Sequence, residues 1–206
     1  MTDFGLAFMR RRPCAGISVR QLRMTGRGDL LATGFSTDFH PAKIHYIEAP
    51  NGAGKSSLLS CLAGLDSPGS GTIAVQGAGT VTADPAALLA WLPPHDDFPL
   101  PVSVIDVVLA GRWRFHRGNP VASDITAAID CLRSLGIGEL SARSVDSLST
   151  GQRRRVNLAR VFAQDADVLL LDEPFSGLDE DAKRRVDDCL NWIADLGRTV
   201  IVARPR

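Results

Sequence analysis

The sequence has no excess of charge: 23 lysines and arginines balance 23 aspartates and glutamates. Proteins that hold nucleic acid by its phosphates usually carry a basic surplus, so no nucleic-acid partner is expected. Cysteine is sparse, and Cys14, Cys61, Cys131 and Cys189 lie far apart. No C-x-x-C pair and no histidine at ligand spacing accompanies them, which leaves free thiols in a reducing compartment. Long apolar runs are missing, since none reaches the roughly 18 residues of a membrane span. At the N-terminus the apolar stretch precedes Arg10-Arg11-Arg12, the reverse of the order in a secretory signal. The expected location is the cytoplasm, with any membrane contact made through a partner. There is no internal repeat and no low-complexity segment.

What is present is an ordinary globular composition, 45% apolar and 22% charged over 206 residues, which fits one domain. Residues 1–16 read as a loose extension. Strands are expected over Ile17–Arg23, Leu30–Phe39, Ile44–Glu48, Thr72–Val75, Ala166–Leu171 and Thr199–Ala203. Helices are expected over Lys55–Leu65, after a Ser103 cap, along Ile125, Ile129, Leu132 and Leu135 up to Gly136, over Ser149–Gln164, and after Asp179. Strands alternating with helices point to an α/β sheet.

One loop carries a chemical signal. Ala49-Pro50-Asn51-Gly52-Ala53-Gly54-Lys55-Ser56-Ser57 follows a short strand and opens a helix. Glycines let the backbone curl so that several N–H groups face one anion, and the helix N-terminus adds its positive dipole end. Lys55 supplies a cation for outer phosphates, and Ser56 a hydroxyl for Mg²⁺. Ala49 stands where the general pattern has its first glycine. Farther along, Asp172 ends the apolar run Val168-Leu169-Leu170-Leu171, and Glu173-Pro174 follow. A carboxylate at the end of a buried strand suits Mg²⁺ or its waters, and Glu173 suits a general base that polarises a water. Leu148-Ser149-Thr150-Gly151-Gln152 lies between, and Arg153-Arg154-Arg155 after it reads as a solvated helix face.

Together these segments resemble the ATP-binding cassette (ABC) transporter ATPases, from about Ile17 to Val202. The resemblance implies an α/β P-loop NTPase (RecA-like) core sheet, with an antiparallel β subdomain and an inserted α-helical subdomain at about 95–150. It makes 17–206 one ATPase domain lacking the family's usual C-terminal end. It implies ATP and Mg²⁺ as cofactors, and a nucleotide site formed by Asn51, Gly52, Ala53, Gly54, Lys55, Ser56 and Ser57. Ser56 and Asp172 then hold the metal, and Glu173 and Lys55 are catalytic. Ser149, Gly151 and Gln152 match the family's signature motif, which closes on the ATP of the opposite subunit. Ser176-Gly177-Leu178-Asp179 matches its D-loop. The implied partners are a second ATPase subunit in a homodimer or heterodimer, membrane subunits (a permease), and an extracytoplasmic solute-binding protein. The implied location is peripheral, on the inner face of the cell membrane. Phe98 to Val108 and Ala110-Gly111-Arg112-Trp113 look like the segment of metal-ion and metal-chelate importers that meets the membrane subunits.

Departures accompany the match. Pro94 stands at the Q-loop glutamine, with His95 beside it, and Pro205 stands at the switch histidine. Thr150 replaces a signature glycine. Arg27 is the substitute for the aromatic that stacks on adenine, because a guanidinium can also stack on a base. Two readings stay open. One is an ATPase that energises import of a metal ion or metal chelate. The alternative is a degenerate, hydrolysis-impaired cassette acting as a nucleotide-binding regulatory subunit. A soluble cassette of DNA repair or translation would carry paired cassettes or a coiled-coil insertion, and neither is present.

Overall fold

The computed structural model describes residues 5–206 except 13, 25–27, 77–87, 96–97 and 99–100. The described strands form two sheets. In the antiparallel one, β1 (Gly16–Arg23) lies between β2 (Phe35–Phe39) and β4 (Ser70–Gln76). The parallel one has the order β3-β7-β6-β5, from β3 (Lys43–Glu48), β5 (Leu89–Leu92), β6 (Val168–Asp172) and β7 (Thr199–Arg204). Every residue of β6 is buried, as expected of a parallel strand covered on both faces. Leu89–Leu92 had no assignment from the sequence. At this length it shows too little pattern to declare itself, and pairing with β6 defines it.

One core lies between the sheets. Ile17, Val19 and Leu22 of β1 pack with Leu58, Leu59 and Leu62 of α2 (Lys55–Leu62) and with Leu170 and Ile201. The other core joins the far face of the parallel sheet to the helices α3 (Val104–Gly111), α5 (Ala122–Ser134), α6 (Thr150–Ala163) and α7 (Glu180–Asp195). A short α4 (Trp113–His116) follows α3. Ser103 caps α3 by accepting from the Asp106 N–H at 3.3 Å, and Asp179 caps α7 by accepting from Ala182 at 2.8 Å. At Gly111 a Cβ would lie 2.1 Å from the Arg160 carbonyl oxygen, so only glycine lets α3 approach α6 this closely.

Three sequence expectations need correction. The strand expected over Leu30–Phe39 starts late, because Asp29–Ala32 forms the short helix α1. Gly28 and Gly34, at φ +92° and +97°, turn the chain into and out of it, and Leu31 buries its side chain. On α5, Leu132 is buried at the core but Ile125 is 41% exposed. The inward position there goes to Asp124, held by Arg112 in a buried ion pair at 2.9 Å. The described part of the first 16 residues is not loose. Leu6 and Met9 enter the helical core, and Arg12 bonds Asp165 and Asp167 at 3.0 and 3.1 Å.

All four cysteines are free, as the spacing implies, and all four are buried. Burial pushes the Cys189 thiol up to about 12, so it stays protonated and inert. Among the described residues no helix is long and apolar enough to cross a membrane. Leu6 has no exposed surface. Leu6→Ala should therefore cost about 2–5 kcal/mol of unfolding free energy in denaturant melts. A loss under ~0.5 kcal/mol, typical of a surface site, would show that the N-terminal segment is not core.

Candidate functional site

β3 ends at Glu48, and the chain then curls through residues 49–54 into α2. Gly52 and Gly54 have φ +80° and +96°, the left-handed conformation that glycine adopts without strain. Gly54 is the N-cap of α2 and offers no side-chain cap, so the first N–H groups of the helix are left for an anion. Ala49 is buried and is not among the described residues with positive φ, so a methyl group is tolerated there. Lys55 is buried, and its Nζ donates to the carbonyls of Ala49 and Pro50 at 2.8 and 3.0 Å. These bonds hold the ammonium under the loop, within reach of a phosphate.

A cavity of about 400 Å³ is lined by Gly28, Asn51, Gly52, Gly54, Lys55, Ser56, Ser57 and Glu173. The loop and the candidate base therefore share one space. Asp172 lies at the end of β6 with 1% of its surface exposed. Neither of its carboxylate oxygens has a hydrogen bond of normal geometry, an expensive state for a buried polar group. Burial raises its pKa, opposed by the nearby Ser56 hydroxyl; the Glu173 charge raises it further, and Arg154 and Lys55 lower it. Orphaned carboxylate oxygens next to a serine hydroxyl fit the donor set of Mg²⁺, a hard cation that takes oxygen ligands. Glu173 has φ +48°, strained for a residue with a Cβ, and its N–H donates to Ala203 at 2.9 Å.

The signature segment is elsewhere. Ser149 caps α6: its Oγ accepts from the Gln152 N–H at 3.3 Å, and Gln152 Oε1 accepts from the Ser149 N–H at 3.0 Å. A Cβ on Gly151 would lie 2.6 Å from the Gly177 carbonyl oxygen, so this glycine lets α6 touch the 176–179 turn. Thr150 is exposed at the first helical position, where a β-carbon costs little. Residues 149–152 do not line the phosphate cavity of their own chain. Pro94, His95 and Pro205 are exposed. Arg27 lies outside the described residues.

The sequence reading missed two contributors. A Cβ on Gly28 would sit 2.4 Å from the Ala53 carbonyl carbon, so a glycine lets α1 close over the loop, with Leu30 N–H donating to Ala53 O at 3.0 Å. The second is Arg154, which corrects the solvated-face expectation: it is 1% exposed, and Nη1 donates to Pro93 O at 2.8 Å. Its Nη2 donates to the carbonyls of Asp172 and Glu173, the latter at 3.0 Å. Arg153 donates to Asp146 O at 3.1 Å and Arg155 to Leu135 O at 3.3 Å. Spacing alone could not separate a buried arginine from its half-buried neighbours.

The family profile described as ABC transporter matches residues 32–176. The chain belongs to the ABC transporter family. It is 35% identical over 167 residues to the manganese transport system ATP-binding protein of Synechocystis sp., covering 79% of this chain and 64% of that protein. It is 34% identical over 166 residues to the zinc transport system ATP-binding protein of Treponema pallidum, covering 77% and 60%. This ABC chain thus spans less than two thirds of these curated relatives. A solved inward-facing transporter, assigned to the metal-chelate type of ABC transporters, superposes with a TM-score of 0.76 at 29% identity, over 92% of this chain and 73% of that one. An ABC protein from Pyrococcus furiosus shares the fold at a TM-score of 0.76 and 24% identity, over 93% and 92% of the two chains. The α/β P-loop NTPase fold with its added antiparallel sheet is therefore present in this chain as expected.

The raised pKa of Asp172 has a consequence for stability. The folded chain binds this proton more tightly than the unfolded chain does. The contribution is fully present below the unfolded pKa and is lost as pH rises through the folded one. Asp172→Asn removes the buried charge. It should raise the Tm at pH 8 by about 2–4 °C per kcal/mol recovered. The gain over the parent should shrink toward pH 4, and a gain independent of pH in thermal melts would contradict this account.

Proposed function

We propose that this chain is the ATP-binding and ATP-hydrolysing subunit of an ABC transporter, energising import of a metal ion or metal chelate through a membrane partner. The carrying observation is that Lys55, Ser56 and Glu173 line one cavity, with the buried carboxylate of Asp172 close to Ser56. Asn51, Gly52, Ala53, Gly54 and Ser57 bind the phosphates through backbone and hydroxyl groups, and Lys55 neutralises the outer ones. Ser56 and Asp172 hold Mg²⁺. A Mg²⁺ ion held there would supply Lewis-acid stabilisation of the charge that develops in phosphoryl transfer. Glu173 orients the attacking water and accepts its proton.

A second cleft of about 760 Å³ adjoins the loop, lined in part by Gly28, Leu30, Phe35, Ser36 and Ala53. It suits the base and sugar, and Arg27, which lies outside the described residues, is the residue we assign to stacking on adenine. Ser149, Gly151 and Gln152 act on the ATP of an opposing subunit, since they stand exposed or half-buried at the N-terminus of α6, away from their own cavity. Trp113 and Phe115 on α4 are 61% and 46% exposed. Such apolar exposure suits a permease contact and supports a location at the inner membrane face. The named metals of the relatives support metal import, in which a solute-binding protein would deliver the cargo. No structural observation favours the regulatory, hydrolysis-impaired alternative.

Glu173→Gln should retain ATP affinity while steady-state turnover falls about 10²–10⁴-fold. Lys55→Ala should lose both binding and turnover. An ATPase rate unchanged in both variants, measured by phosphate release with Mg²⁺, would refute the assignment. Saturating ATP with Mg²⁺ should raise the parent's stability by about 2.7 kcal/mol at a hundred-fold excess over Kd, and Asp172→Asn should lose the metal-dependent share. A thermal shift identical with and without Mg²⁺ would exclude the metal role of Asp172.

A further inference from the structure

Arg154 is an arginine inside the protein, with 1% of its surface exposed. A buried guanidinium is costly unless its donors are satisfied. Here main-chain carbonyls serve as acceptors: Pro93 O at 2.8 Å, Asp172 O, and Glu173 O at 3.0 Å. The acceptors come from separate parts of the chain. Pro93 follows β5, whereas Asp172 ends β6 and Glu173 follows it. Arg154 itself sits in the second turn of α6, the helix capped by Ser149.

The location of these carbonyls matters more than their number. Those of Asp172 and Glu173 flank the residue with φ +48°, a conformation that persists only when its surroundings over-determine it. Fixing both flanking peptide units fixes the direction of the Glu173 Cα–Cβ bond, and Glu173 lines the phosphate cavity. The bond to Pro93 anchors the same guanidinium to the turn that carries Pro94, a residue with no side-chain donor or acceptor. A planar fork with five N–H donors can serve these carbonyls together, and an ammonium cannot match that geometry.

We propose that Arg154 is a positioning residue: it ties the helix beginning at Ser149 to the backbone of Glu173 and holds that carboxylate aimed at the nucleotide. The inference rests on the ATPase reading for its chemistry and on the three carbonyl contacts for its geometry. It explains how the base is held although Pro94 offers no amide. The role is not one of charge alone, because Lys keeps the charge and loses the fork.

The test uses the full chain with Arg154→Lys and Arg154→Met, beside the parent and Lys55→Ala. Turnover at saturating ATP should fall about 10–100-fold in both variants, while the Kd for a fluorescent ATP analogue stays within about three-fold. A purely structural role predicts a different split: lower Tm, with turnover per folded molecule and ATP affinity both unchanged. Turnover within about two-fold of the parent in both folded variants would overturn the proposal. Hydrogen exchange gives a readout that does not need turnover. The amides of Glu173 and Ser176, bonded to Ala203 O at 2.9 Å and Glu173 O at 3.0 Å, should exchange about ten-fold faster in Arg154→Met. Exchange unchanged there would overturn the proposal whatever the rates show. A parent no faster than Lys55→Ala would instead remove the ATPase reading, and the exchange result alone would then decide the positioning role.

Discussion

The site depends on the parallel pairing of β3 and β6 with β7 between them. Glu48 pairs with Arg204 and Asp172 with Ala203, so β3 and β6 end at nearly the same level. Parallel strands release their following loops at one edge of the sheet, which is where open α/β sheets place their ligands. The phosphate loop and the Asp172-Glu173 pair therefore meet without any contact between their sequences. Displacing β7 would separate the cation from the carboxylates, however well each loop kept its own shape.

Energetic tension is concentrated at that edge. Asp172 is buried with neither carboxylate oxygen in a hydrogen bond of normal geometry, Glu173 holds a left-handed backbone, and Lys55 donates to two carbonyls of its own loop. The buried carboxylate and the left-handed backbone each cost stability. The remainder of the fold supplies the compensation: a continuous buried β6, an antiparallel sheet pressed on α2, and a helical core that also takes in Leu6 and Met9. Strain at one edge of an otherwise well-packed domain is typical of functional sites.

The substitutions at family glycines divide by backbone geometry. Ala49 and Thr150 stand outside the left-handed region, so their side chains cost little. Gly52, Gly54, Gly28 and Gly177 have φ between +71° and +96°, where side chains are disfavoured. Gly151 is needed for a different reason, the close approach of the Gly177 carbonyl. A glycine-by-glycine comparison with a motif treats these positions alike, whereas dihedral angle and clearance separate those that matter.

The sequence by itself determined the local chemistry. Contiguous residues carry the loop at 49–57, the apolar strand before Asp172-Glu173, the Ser103 cap and the helices that start near Ser149 and Asp179, and short-range rules read them. Less local elements escaped it. The strand Leu89–Leu92 is defined only by its partner β6, α1 only by two glycines around one buried leucine, and the burial of Leu6 only by the core it enters. Only the tertiary structure separated Arg154 from Arg153 and Arg155, because the three are equivalent in composition and differ in what the far ends of their side chains reach. That difference follows from where the chain brings Pro93, Asp172 and Glu173 together, across 61, 18 and 19 positions from Arg154, and a local pattern does not encode contacts at such separations.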